Sequence, residues 1–162
     1  LKSQLTIQGP FPKSDLKLWL SNIIHSRPFP DLQLLYNNSI PNCPGMSIVA
    51  FQVNFLPNAS TPPHTHAGAF VSVNVVSGYV FNKMNDDPMK LFGPGETFTE
   101  HPGCRHTISD NASATKPAII VATMIVDTKV VEENGIGGLM VIDEEYRQMV
   151  QEAQQKSQAP RA

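Results

Sequence analysis

The chain has 162 residues, 41% hydrophobic and only 16% charged, with 12 Lys and Arg against 14 Asp and Glu for a net charge of −2. That length supports one hydrophobic core, the charge balance excludes a basic nucleic-acid binder, and the hydrophobic content excludes intrinsic disorder. Fourteen prolines, where about 8 is average for this length, exclude a coiled coil or helical bundle and leave a turn-rich, all-β domain.

Residues 1–45 read as an N-terminal extension. Within it Ser14-Asp15 caps a short helix carrying Leu16, Leu18, Trp19, Leu20, Ile23 and Ile24, which ends near His25 because Pro28 and Pro30 follow. From Met46 the pattern becomes β. Ser47 to Phe55 is β-branched and aromatic and stops at Pro57, and Ala69 to Val76 is a second strand. Gly78 turns the chain into Tyr79-Val80-Phe81, and Asn85-Asp86-Asp87-Pro88 is a hairpin loop. Leu91-Phe92, Glu96 to His101 and Arg105 to Ser109 follow as short strands between Gly-Pro turns, and Ala118 to Val126 is a long apolar strand. Beyond the core of residues 46–128, the segment 129–162 closes with a helix from Asp143 to about Gln155 and a polar tail. Short strands at regular spacing with Gly/Pro turns indicate a sandwich or barrel.

No apolar run approaches the roughly 18 residues of a membrane span, so a soluble protein is expected. Leu1 in place of Met is read as the trace of a removed segment, either a signal peptide or an expression artefact. Sequons at Asn37, Asn58 and Asn111 favour a glycosylated, secreted protein over a cytoplasmic one. Cys43 and Cys104 either form one disulfide or remain two buried thiols.

The chemistry is concentrated in three of the five histidines. Pro62-Pro63-His64-Thr65-His66 places two imidazoles on the same face of a strand, and the prolines stiffen the approach. Forty residues on, Pro102-Gly103-Cys104-Arg105-His106 puts a third just after a tight turn that can swing it back over the first pair. Three neutral imidazoles suit a divalent transition metal, Zn, Fe, Ni or Mn, with positions left for water and substrate.

These residues resemble the cupin superfamily. Its first motif, G-x5-H-x-H-x3-4-E-x6-G, is met by His64, His66 and Gly78, and its second, G-x5-P-x-G-x2-H-x3-N, by Gly95, Gly103 and His106. The resemblance covers Met46 to Val126 and implies a double-stranded β-helix, the cupin jelly-roll barrel, flanked here by the short N-terminal helix and the C-terminal helix. Departures are specific: Val71 stands where the family carries an acidic ligand, Asn58 replaces the opening glycine, and His101 and Asp110 replace the proline and asparagine of the second motif.

Alternation along the strands supports the barrel independently. With Val71 inward, Val73 and Val75 are inward and Ser72 and Asn74 outward; Phe98 and Glu100 share one face, and His106 and Ile108 share another. Glu100, six residues before His106, is then positioned to replace the missing carboxylate or to act as the catalytic acid/base, with His101 pointing the other way. Val71, Val73, Phe98 and Asn54 are assigned to the substrate-binding wall. An apolar cavity around a three-histidine ion fits redox-neutral Lewis-acid and acid/base chemistry on a hydrophobic, oxygenated small metabolite: dehydration, cyclisation or isomerisation. A three-histidine Fe(II) dioxygenase and a non-enzymatic small-molecule-binding cupin are the alternatives. A homodimer through the Leu-rich segment Leu16 to Leu35 is expected, with no nucleic-acid or membrane partner.

Overall fold

The computed structural model describes residues 27–158; the helix expected around Leu16 to Ile24, with His25, lies outside them. Eleven strands follow in chain order: β1 (Asp31–Ser39), β2 (Met46–Phe55), β3 (Ser60–Thr61), β4 (His64–Thr65), β5 (Phe70–Ser77), β6 (Val80–Met84), β7 (Lys90–Phe92), β8 (Thr97–Glu100), β9 (His106–Asn111), β10 (Ala118–Asp127) and β11 (Val141–Ile142). Helix α1 (Thr128–Asn134) and a 3-10 turn at Ile136–Leu139 precede β11, and helix α2 (Glu144–Gln158) follows it. Among the described residues no helix is long and apolar enough to cross a membrane.

The strands form two antiparallel sheets. One has the order β1-β2-β10-β5-β8; the other runs β11-β4-β9-β6-β7, with β3 also paired to β9. From β5 onward the chain passes back and forth between them, β5 to β6, then β8 to β9 to β10, so both sheets wind around one interior. The expected parity holds on β5, where Val71, Val73 and Val75 are buried and Ser72 and Asn74 exposed. Phe51, Val53 and Phe55 of β2 and Ile120, Ala122 and Met124 of β10 complete the apolar interior. Each of these valine, isoleucine, phenylalanine and methionine side chains stabilises the fold by roughly 1.5–3 kcal/mol.

Gly78 is required twice over. Its φ is +73°, and a Cβ there would stand 2.6 Å from the Pro117 carbonyl oxygen, so any side chain is both strained and obstructed.

Several expectations are corrected. The extension contributes a regular strand: β1 pairs with β2 along its length, with a bulge between Leu34 and Tyr36. Its polar Asp, Gln and Asn residues and exposure at every position erase the alternation that marks a half-buried strand. Helix α1 is also unforeseen, and the Asp127 carboxylate caps it by accepting from the Lys129 N–H at 2.9 Å. His106 and Ile108 do not share the inner face, because a register shift against Lys83 and Met84 makes Thr107 an extra residue. His106 is instead buried with Ser109 and Asn111.

Cys43 and Cys104 are free thiols, and Cys43 is exposed rather than buried. The sequons at Asn37 and Asn58 are exposed, but Asn111 is not available for a glycan. Its amide is buried, donates to the carbonyls of Leu56 and Lys116 at 2.9 and 2.8 Å, and accepts from the Ser113 N–H.

Candidate metal centre

One sheet presents the three imidazoles and the other presents the carboxylate. Pro62 and Pro63 bring the chain into β4, where His64 pairs in register with His106 of β9. His66 follows immediately after β4. Their rings lie close, with centroids 4.8 Å apart for His64 and His66 and 5.1 Å for His64 and His106. The donor atoms of all three fall within 4.8 Å of one another. Side-chain adjustment brings them to the roughly 2.8–3.4 Å that separates neighbouring ligands on one ion at 2.0–2.1 Å bonds.

Backbone carbonyls fix two of the rings. His64 donates its Nδ1–H to the Pro62 carbonyl at 2.7 Å, and His66 donates its Nδ1–H to the Leu139 carbonyl at 3.3 Å. In both, the Nε2 lone pair is left as the donor atom, the arrangement by which outer partners orient metal-binding histidines. His106 is held by Asn82, whose amide stands 3.0 Å from its Nε2. With the Asn82 amide turned so that its oxygen accepts from Nε2–H, Nδ1 of His106 becomes the donor atom.

From the opposite sheet, Glu100 of β8 points between the histidines. Its Oε2 is 3.1 Å from His66 Nε2 and 3.3 Å from His106 Nδ1. Neither contact has hydrogen-bond geometry, so this oxygen is buried without a partner. Burial alone would raise the Glu100 pKa, but in the metal-free site the facing His106 and His66 nitrogens, when protonated, outweigh it and hold the carboxyl well below its usual range. His64 is shifted the other way from a free imidazole: burial, then the neighbouring His106 and His66, push its pKa down to about 3. The site therefore offers a neutral imidazole beside an ionised carboxylate.

A buried carboxylate oxygen with no partner is costly unless a cation satisfies it. The residues present fit a divalent transition metal on this ground: the nitrogens of His64, His66 and His106 would hold it, and the orphaned Glu100 oxygen lies among them. Imidazole-rich sets with one carboxylate suit Zn, Fe, Ni or Mn rather than Mg or Ca.

The chamber beyond has a volume of about 40 Å³, space for a few water-sized groups and far below a drug-sized pocket. Val71 and Val73 line it, as expected, with Phe51, Ile120 and Met124, and the hydroxyls of Thr61 and Ser109 are its neutral polar groups. Phe98, assigned to the same wall, is not among the residues that line the chamber; its ring stands edge-on to His106 with centroids 6.3 Å apart. Asn54 is not part of it. It sits on the outer face of β2, between inward Val53 and Phe55, and accepts from Gln52 at 2.9 Å. Strand alternation applied to β2 excludes it. His101 points away from Glu100, as parity requires, and packs against Phe70. Cys104 lies in the turn before His106 and accepts a weak contact from Asn85 at 3.5 Å.

Three participants were missed. Asn82 is buried on β6 two residues after buried Val80, a position that strand alternation identifies. The Leu139 carbonyl and the Met140 side chain come from the segment after α1, which packs back across the chamber. Only the fold reveals these two. There β11 pairs with β4, joining Ile142 to His64, and Asp143 binds Arg105 at 2.5 Å.

No protein-family model and no curated protein matches the sequence. Among solved structures, the chain resembles a protein with a double-stranded β-helix domain from Klebsiella pneumoniae, with 15% identity and a TM-score of 0.52 over 75% of this chain and 93% of that one. It also resembles a cupin domain from Bordetella pertussis, with 18% identity and a TM-score of 0.50 over 62% of this chain and 97% of that one. Two sheets wound about one interior, with the histidines of both motifs converging inside it, give this chain the double-stranded β-helix fold of the cupins.

Proposed function

We propose that this protein is a metal-dependent enzyme that performs redox-neutral chemistry, such as a dehydration or isomerisation, on a small oxygenated metabolite with an apolar body. The observation that carries the reading is the convergence of three imidazoles and one ionised carboxylate in an otherwise aliphatic chamber. Structural histidines need only hydrogen bonds, whereas these leave their free nitrogens and a bare carboxylate oxygen facing one another.

When bound, the cation polarises a substrate carbonyl or hydroxyl and lowers the pKa of a coordinated oxygen. The chain's own residues do the rest. Glu100, which lines the chamber with an unpartnered carboxylate oxygen, takes a proton from the substrate and returns it. Thr61 and Ser109 supply hydroxyls for the remaining substrate oxygens. The valine wall and Met140 keep bulk water out, which strengthens each polar interaction within. A chamber of about 40 Å³ restricts the reacting part of the substrate to a few heavy atoms.

The test is incubation of the metal-loaded protein in D2O with a panel of small hydroxy acids and hydroxy ketones, followed by proton NMR and an oxygen electrode. Metal-dependent deuterium incorporation or loss of water without oxygen uptake is expected. Turnover coupled to oxygen consumption, or a protein that takes up no transition metal, would overturn the proposal.

A further inference from the structure

Val71 occupies the sequence position where the resemblance places an acidic ligand, and Glu100 is its register partner across the β5–β8 pair. Directly opposed residues on antiparallel strands project from the same face with Cβ atoms about 4.5–5.5 Å apart. A carboxylate absent from β5 is thus present one strand away, aimed at the same point. We propose that Glu100 is the fourth protein ligand of the metal centre, delivered from β8 in place of the residue at position 71.

The spacing of the donors supports this independently of the sequence motif. Two ligands at 2.0–2.1 Å on neighbouring positions of one ion stand roughly 2.8–3.4 Å apart. Oε2 of Glu100 lies 3.1 Å from Nε2 of His66 and 3.3 Å from Nδ1 of His106. Both separations are those of adjacent ligands, and neither is a well-formed hydrogen bond. Among the described residues no lysine or arginine approaches this carboxylate; the guanidinium of Arg105 is engaged by Asp143 and that of Arg27 by Asp110.

The ligand set becomes three nitrogens and one oxygen, and the carboxylate cancels one of the two charges of a divalent ion. Ligation through Oε2 leaves the second carboxylate oxygen for proton transfer, so one side chain serves both tasks. The inference rests on the metal-dependent reading above, and its test separates the two.

Apoprotein is titrated with Co²⁺ and followed by visible absorption, for wild type and Glu100→Gln. Gln matches the carboxylate in size; the variant is expected to keep its fold, shown by thermal unfolding, and to bind Co²⁺ at least about 10- to 100-fold more weakly with an altered spectrum. Wild type labelled with 13C at glutamate Cδ gives a readout free of any folding defect: one equivalent of Zn²⁺ is expected to shift one carboxylate resonance. Wild-type affinity with an unchanged spectrum in Glu100→Gln, or no shifted resonance, overturns the assignment of Glu100 and leaves the metal reading standing. Failure of wild type to bind Co²⁺ overturns both.

Discussion

Val71 and Glu100 face each other across β5 and β8, both buried and both lining the chamber that the three histidines line. The pair divides two duties between neighbouring strands, since Val71 walls the chamber and Glu100 supplies its charge. The exchange Val71→Glu/Glu100→Val moves the carboxylate back by one strand without changing the composition of the site. Co²⁺ affinity is expected to recover most of what Glu100→Val alone loses, measured by titration calorimetry. A folded swap protein that binds no better than Glu100→Val would show that the two positions are not equivalent.

Acid destabilises the apoprotein, and His64 sets the window. Its folded pKa of about 3 lies below its ordinary 6.5, so the unfolded chain binds the proton more readily. Stability is complete above pH 6.5 and falls as pH drops toward 3, by up to ~1.4 kcal/mol per pH unit. Glu100, also depressed, adds loss in the same direction below its ordinary value of 4.5. Urea unfolding of wild type between pH 7 and 4.5 should show a falling midpoint. His64→Gln should flatten the decline, and an equal slope in both proteins would contradict the buried neutral imidazole.

Asn82 acts on the metal only through His106. Asn82→Ala removes the partner of His106 Nε2, a group within 3.0 Å, and frees the ring to turn. Loss of such an outer partner costs about 10- to 100-fold in metal affinity. The measurement is competition with a chelating dye, and Asn82→Asp, which keeps an oxygen beside Nε2, should retain more affinity than Asn82→Ala.

The segment from Leu139 to Asp143 is latched to the site by Arg105. Asp143→Asn keeps the size of the side chain but weakens the ion pair with Arg105. Faster hydrogen exchange at Val141 and Ile142, which pair with β4, and faster zinc release are expected from a loosened strap. Unchanged exchange there would show that Leu139 packing alone holds the segment.

Gly78→Ala should destabilise by at least about 1–2 kcal/mol from its left-handed backbone alone, before the approach to Pro117 adds to it. Thermal unfolding checks this, with a loss under ~0.5 kcal/mol counting against the tight packing of that turn.

The barrel strands and the histidine trio were legible because their signals are local or periodic. Val71, Val73 and Val75 alternate with Ser72 and Asn74, and His64 and His66 lie two residues apart in the chain, a spacing that reads as one face of a strand. Glu100 was legible by the same parity, though its distance to the imidazoles was not. β1 escaped because its apolar residues gain little burial and its polar ones are poor strand formers. The bulge at Thr107 overturned the shared face of His106 and Ile108, since one added residue reverses alternation without leaving a mark in the sequence. The Leu139 carbonyl, 73 residues from the ring it orients, is a backbone atom and carries no side-chain signature at all.

Elemental analysis of the purified protein tests the metal centre most directly. The expected result is about one transition-metal ion per chain in wild type after gel filtration, with the metal lost in His64→Ala/His106→Ala while the fold is retained. A wild-type protein that holds no stoichiometric metal after incubation with Zn²⁺, Fe²⁺, Ni²⁺ and Mn²⁺, or a double variant that binds as much as wild type, would contradict it.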